Sequence, residues 1–253
     1  MNLKEALAIL PETKNNVVSV LSGGLDSTIM TYVLVHKYGA SNVFALSYNY
    51  GQKQSLELKK AEETCNALGI QHKIIDIGFL GDIVSPVCAN IATSDVAMPT
   101  IHEVLGDPQP PSYVPYRNLI LNSTAMAFAE TNNASYIFTG LQVHDEYGYW
   151  DTSQKFVDSL NAVSSLNRMH KIEVRAPFSM LSKYEEINIA TELGNVDFTK
   201  TLTCYDPNNL GHSCGVCPSC SERIKNFMLS GIADPINYSI DIDWDSGIKQ
   251  HKK

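Results

Sequence analysis

Short apolar runs alternate with longer segments of helical period along the first third of the chain. Val17 to Leu21 is β-branched and apolar, the pattern of a buried strand. Leu25 to Tyr38 follows with Leu25, Ile29, Tyr32, Val33 and His36 on one helical face, and Gly39 stops it. Val43 to Tyr48 predicts a second strand. Gln54 to Leu68 predicts a second helix, charged on one side through Glu57, Lys59, Lys60, Glu62 and Glu63, and closed by Gly69. His72 to Ile77 predicts a third strand. Strands alternating with helices of this length imply right-handed βαβ units and a parallel sheet.

The pattern breaks from Gly78 to Tyr113, where five prolines fall between Pro86 and Pro111. So long a stretch inside a compact domain predicts a functional loop or lid. Helical spacing resumes from Tyr116 to about Thr131, Ser135 to Gly140 predicts a strand, and Leu141 to Thr152 a second irregular loop. Helices over Ser153 to about Met169 and Ser182 to Leu193 complete the body. Ser182 followed by Glu185 is a capping box. The fold class expected is α/β, a doubly wound parallel sheet, with any ligand at the carboxyl ends of its strands.

Composition narrows the rest. With 253 residues, 44% of them hydrophobic, the chain can bury one core, so residues 1–253 are expected to form a single domain with a small subregion at about 200–230. A formal charge of -8 disfavours a nucleic-acid partner unless one face is locally basic. No segment approaches the ~18 apolar residues of a membrane span, so a cytoplasmic protein with no membrane partner is expected. Six cysteines in that setting read as thiols or metal ligands. Cys65, in the second helix, is expected to be a small core residue, and Cys88 falls in the proline-rich loop.

Two clusters carry chemistry. Ser22-Gly-Gly-Leu-Asp-Ser27 stands between a strand and a helix. Gly23 and Gly24 let the backbone approach a ligand, and the first turn of the following helix makes an anion site. Ser22, Ser27 and Thr28 add hydroxyls. The lysine and spacing of a Walker A loop are missing. Asp26 repels phosphate unless Mg2+ lies between them. The second cluster is Cys204-x9-Cys214-x2-Cys217-x2-Cys220. Four thiolates close a tetrahedral Zn2+ site, with an iron–sulfur cluster as the chemical rival.

The hexapeptide resembles the signature of the pyrophosphatase-loop ATPases, which cleave ATP to AMP and pyrophosphate. Further pieces follow in order: Leu21 to Thr28, Tyr48-Asn-Tyr-Gly-Gln52, Tyr113-Val-Pro-Tyr-Arg-Asn118, the loop opened by Gly140 to Asp145, Ala176-Pro-Phe178 leading to Lys183, Thr203-Cys-Tyr205, and Cys214 to Cys220. Together they resemble the 7-cyano-7-deazaguanine synthase family over nearly the whole chain. The resemblance implies conversion of 7-carboxy-7-deazaguanine, ammonia and ATP to the nitrile through adenylated intermediates and an amide, and a homodimer. It implies nucleotide binding by Leu21, Ser22, Gly23, Gly24, Leu25, Asp26, Ser27, Thr28, Tyr48 and Gln52. Asp26, Ser27, Arg117 and Lys183 are the catalytic candidates. Tyr113, Arg117, Asn118, Asp145, Trp150 and Asp151 are the substrate-binding candidates, with Tyr116, Tyr147 and Tyr149 as further stacking surfaces.

The chain departs from the family in two places. Where the family usually has Ser-Gly-Tyr-Pro-Asp-Cys-Arg, it reads Tyr147-Gly-Tyr-Trp-Asp-Thr-Ser153, and the family's Arg-His is Lys53-Gln54. The changed loop motivates a second reading, transfer of the activated deazaguanine to a protein amine. A tRNA-modifying pyrophosphatase-loop enzyme fits the acidic charge poorly. A non-catalytic zinc-binding interaction module leaves the glycine loop unexplained.

Overall fold

The computed structural model describes residues 1–98, 109–142 and 149–251. Asp145 and Tyr147 lie outside them, as does part of each irregular loop. The described residues hold a five-stranded parallel sheet of β1 (Asn16–Val20), β2 (Val43–Asn49), β3 (Gln71–Asp76), β4 (Ala134–Thr139) and β5 (Glu173–Arg175), ordered β3-β2-β1-β4-β5. The order reverses at β1, whose neighbours are β2 on one side and β4 on the other. Ligands of such sheets sit at this switch point, beyond the carboxyl ends of the strands.

The period-2 rule divides the core. Val17 of β1 points into one cluster with Leu25, Ile29, Phe138 and Ile187, and Val18 into the other with Leu46, Ala125, Ile137 and Val174. The first face is covered by α1 (Leu3–Ala8), α2 (Leu25–Tyr38), α3 (Leu56–Leu68) and α7 (Lys183–Leu193). The second is covered by α4 (Gly78–Val84), α5 (Arg117–Thr131) and α6 (Gln154–Ser164). This is the doubly wound arrangement. Beyond it lie α8 (Pro218–Leu229) and α9 (Trp244–His251).

Several expectations change. The α2 bounds are as predicted, but the helix is buried all round from Ile29 to Leu34 rather than on one face, and His36 is exposed. It lies between the sheet and α7, so apart from Asp26 its first turns are buried. The stretch after β3 is not wholly irregular. Gly78–Val84 forms α4, and the turns after it bury Cys88, Ala89 and Ile91. The helix begun by Ser153 ends at Ser164, and Leu166 and Met169 stand 78% and 84% exposed, with no partner surface among the described residues to extend it. The capping box on Ser182 is formed, with its hydroxyl accepting from the Glu185 amide.

Candidate active site and cysteine centre

The glycine loop runs from Leu21, at the end of β1, into the first turn of α2. Leu21 is fixed on both sides: its amide donates to the Leu46 carbonyl at 2.9 Å, and its own carbonyl accepts from Ser47 Oγ at 2.6 Å. Gly23 has φ +91°, and a Cβ there would lie 2.0 Å from the Glu57 carbonyl oxygen, so only glycine lets the loop lie against α3. The Gly23 carbonyl accepts from the Leu202 amide at 3.0 Å. Ser22 Oγ and Ser27 Oγ lie 3.0 Å apart, and the Gly24 amide donates to Ser22 Oγ. Gly24 caps α2 without a side-chain hydrogen bond, leaving the first-turn amides for a ligand. Thr28 Oγ1 is buried with no hydrogen-bond partner among the described residues. Gly140, at the end of β4, approaches Ser27 so closely that a Cβ would sit 3.4 Å from its Cα. The loop therefore fills the switch point between β1 and β4.

Charged groups converge on this loop from three elements. Asp26 Oδ2 lies 3.8 Å from Lys183 Nζ, which also pairs with Glu222 at 2.9 Å. Asp26 Oδ1 is buried and unpartnered among the described residues. Burial pushes the Asp26 carboxyl above the ordinary carboxylate range, with Lys183 opposing. The residues fit nucleotide phosphates with a divalent cation: a helix start with free amides, an unpartnered hydroxyl at Thr28, and an unpartnered carboxylate oxygen at Asp26.

The substrate candidates form a second group. Arg117 Nη1 donates to Tyr50 Oη at 3.3 Å, and Asn118 Nδ2 donates to the Asp151 carbonyl at 3.2 Å. Asp151 is buried, which raises its pKa, while Arg117 lowers it. Trp150 Nε1 donates to Tyr113 Oη at 2.8 Å, Tyr113 stacks on Tyr149 at 5.4 Å, and Trp150 meets Tyr116 edge-on at 5.4 Å. Tyr116 has φ +55°, an uncommon conformation for a residue with a Cβ. Tyr113, Tyr116 and Trp150 line an open cavity of about 470 Å³ together with Pro110, Pro111 and Val87. Another cavity of about 310 Å³ lies beside β5 and α6 and shares no lining residue with the glycine loop.

Two nucleotide-binding candidates are committed elsewhere. Tyr48 is buried, and its hydroxyl donates to the Leu121 carbonyl of α5 at 2.7 Å. Gln52 binds its own turn at both ends, donating to the Tyr48 carbonyl and accepting from the Tyr50 amide. Their hydrogen bonds shape the β2–α3 connection.

Cys204, Cys214, Cys217 and Cys220 bring their sulfurs within 4.8 Å of one another. Cys214 and Cys220 sulfurs are 3.9 Å apart, close to the ~3.8 Å edge of a tetrahedron built on Zn–S bonds of ~2.3 Å. Amides of Cys214, Cys217 and Cys220 donate to the sulfurs of Cys204, Cys214 and Cys217 respectively. Hydrogen bonds from Cys204 and Cys220 hold the Cys217 thiol well below the ordinary thiol range. The set could hold a metal ion. Cys217 caps α8 and Pro218 occupies its first turn, so a helix start delivers the last two sulfurs.

Over residues 16–231 the chain matches the family described as queuosine biosynthesis protein QueC. The chain belongs to the QueC family. A 7-cyano-7-deazaguanine synthase of Psychrobacter sp. (strain PRwf-1) is 33% identical over 241 residues, covering 90% of this chain and 91% of its own length. One from Caldicellulosiruptor saccharolyticus is 35% identical over 228 residues, covering 90% and 97%. Among solved structures, the U34-tRNA thiolase NcsA from Methanococcus maripaludis, with its [4Fe-4S] cluster, is 16% identical with a TM-score of 0.50, covering 99% of this chain and 76% of that one. This last likeness is of fold alone. As a QueC-family member the chain is an enzyme.

Sequence reasoning passed over several acidic residues near the glycine loop and Arg117. Glu57 is partly buried, and burial pushes its pKa up to about 8 while Arg117 opposes the shift. Glu186 is 0% exposed and accepts from Gln142 Nε2. Glu222 shares Lys183 with Asp26. Only the position of Glu57, five residues beyond the Tyr48–Gln52 piece that resembles the family, offered a signal.

Proposed function

We propose that this chain makes 7-cyano-7-deazaguanine from 7-carboxy-7-deazaguanine, ammonia and ATP, with release of AMP. The observation that carries the reading is the glycine loop at the switch point, with Asp26 on it and Lys183 of α7 beside Asp26, in a chain of the QueC family. A carboxylate oxygen is a poor leaving group, and AMP is a good one. The nitrile keeps neither oxygen of the carboxylate, so each must leave on its own AMP, the first as ammonia forms the amide and the second as the amide loses water's equivalent.

In this reading the α2 amides, Ser22, Ser27 and Thr28 hold the pyrophosphate as charge develops on it. Asp26 would hold Mg2+, which neutralises phosphate oxygens when bound. Lys183 takes up charge on the same side. Arg117, held by Tyr50 and drawn by Asp151 and Glu57, faces the other side and orients the carboxylate. The cavity of Tyr113, Tyr116 and Trp150 suits a planar base. Four sulfurs at single-ion spacing favour Zn2+ over a multi-iron cluster, whose cysteines must spread around several metals. Zinc then serves a subregion of one domain. A homodimer suits α4, where Phe79 and Ile83 are 56% and 70% exposed one turn apart.

A second reading, transfer to a protein amine, rests on the changed loop. Where the family usually has cysteine and arginine, Thr152 donates to the Tyr149 carbonyl and Ser153 caps α6. Incubation with ATP, Mg2+, ammonium and 7-carboxy-7-deazaguanine, followed by mass spectrometry of the base, separates the two. The nitrile supports the first reading, and an accumulating amide or adenylate without nitrile supports the second.

A further inference from the structure

Two carboxylates beside the glycine loop each use one oxygen and leave the other buried and idle. Asp26 offers Oδ2 to Lys183 at 3.8 Å, and its Oδ1 has no hydrogen-bond partner among the described residues. Glu186 offers Oε1 to Gln142 Nε2, and its Oε2 is likewise unpartnered, on a residue 0% exposed. The fold brings them together. Lys183 and Glu186 stand three residues apart on α7, hence on one helical face, and α7 packs on α2, whose first turn carries Asp26.

A buried unpaired carboxylate oxygen costs free energy that a native site normally recovers from a partner. Among the described residues, Asp26, Glu186 and Glu222 are faced by Lys183. Arg223 also lies within electrostatic reach of Asp26, but its guanidinium is taken by Asp234 at 2.6 Å. Three carboxylates against one ammonium leave a deficit of two positive charges. Asp26 and Glu186 also repel one another. A bound cation relieves that strain.

We infer that Asp26 Oδ1 and Glu186 Oε2 are the two protein ligands of a divalent-cation site of the Mg2+ class, set in the floor of the glycine loop. A cation of this class takes one or two carboxylates from the protein and the remaining oxygens from water and substrate phosphate. The inference rests on the reading that the loop holds nucleotide phosphates, and it adds Glu186 as a ligand that loop spacing does not reveal.

The test uses the zinc-loaded full chain without nucleotide or base, so that the thiolates are occupied and failure leaves the proposed reaction untouched. Mn2+ stands in for Mg2+, and its binding is read from the loss of the free-ion paramagnetic resonance signal. One Mn2+ per chain should bind, Mg2+ should displace it, and Glu186→Gln should weaken it at least ~tenfold. Gln has the shape of the protonated acid and keeps the Gln142 contact, so the variant should fold. Glu186→Asp, which keeps the charge, should bind more tightly than Glu186→Gln. No bound Mn2+ in the wild type would overturn the site and leave a shared proton in its place. Equal affinity in wild type and Glu186→Gln would overturn the role of Glu186.

Discussion

A methyl group at position 23 would collide with the Glu57 carbonyl oxygen at 2.0 Å, on a backbone already at φ +91°. Neither atom belongs to a flexible side chain, so the loop and α3 must part. Gly23→Ala should therefore cost about 3 kcal/mol in thermal or denaturant unfolding, and a loss below about 1 kcal/mol would contradict the close approach. Glu57 gives a pH prediction. Its carboxyl titrates near the ordinary 4.5 when unfolded and at about 8 when folded, chiefly because of burial. The folded chain thus binds more protons across that window, and stability falls as pH rises from about 4.5 to about 8. Thermal midpoints of Glu57→Gln measured over that range should fall less steeply than those of the wild type. Identical slopes would remove Glu57 from the account. The freedom needed at Gly23 was legible in the sequence, though its approach to α3 was not. The shift at Glu57 was not, since in the sequence it is one of several charges on a helix. Glu186 was hidden in the same way behind a capping box that correctly explained its neighbour Glu185.

Elements were legible where punctuation was strong. Gly24 and Gly39 bracket α2, and both of its bounds followed from the sequence. Glu173–Arg175 forms β5 with one apolar residue, Val174, which is too little periodicity to see. Gly78–Val84 carries two glycines and precedes a proline-rich stretch, so α4 was masked by its own composition. The cysteine spacing, by contrast, gave the whole four-sulfur cluster. What the spacing could not give is how that segment grips the glycine loop. Leu202 donates to Gly23, and Arg223, one turn beyond Cys220, binds Thr201 and Asp234. Metal removal by a chelator should unfold residues 200–230, as structural zinc contributes ~10 kcal/mol or more to folding. Hydrogen exchange should show the Leu202 amide losing protection with them, and retention of protection there would contradict the coupling. The Arg223–Asp234 pair is fully buried, with side chains 1% and 0% exposed. Asp234→Ala strands the guanidinium and should cost about 3–5 kcal/mol in denaturant unfolding. A loss within about 1 kcal/mol would show the pair to be dispensable.

At the scale of the molecule, strand order, loop and charge agree on one location. The reversal at β1 opens the crevice, the glycine loop fills it, Lys183 reaches its Asp26 from α7, and Arg117 on the other face of the sheet holds Tyr50. At a net charge of -8 an anionic substrate would depend on the few cations near the loop, Lys183 and Arg117, and on a bound divalent cation. The central claim is that this crevice activates a carboxylate twice by adenylation, and nucleotide stoichiometry tests it most directly. With limiting 7-carboxy-7-deazaguanine, excess ammonium and radiolabelled ATP, the account predicts two AMP, no ADP, and one nitrile for each base consumed. ADP as the product, or AMP released at the same rate without the base, would contradict it.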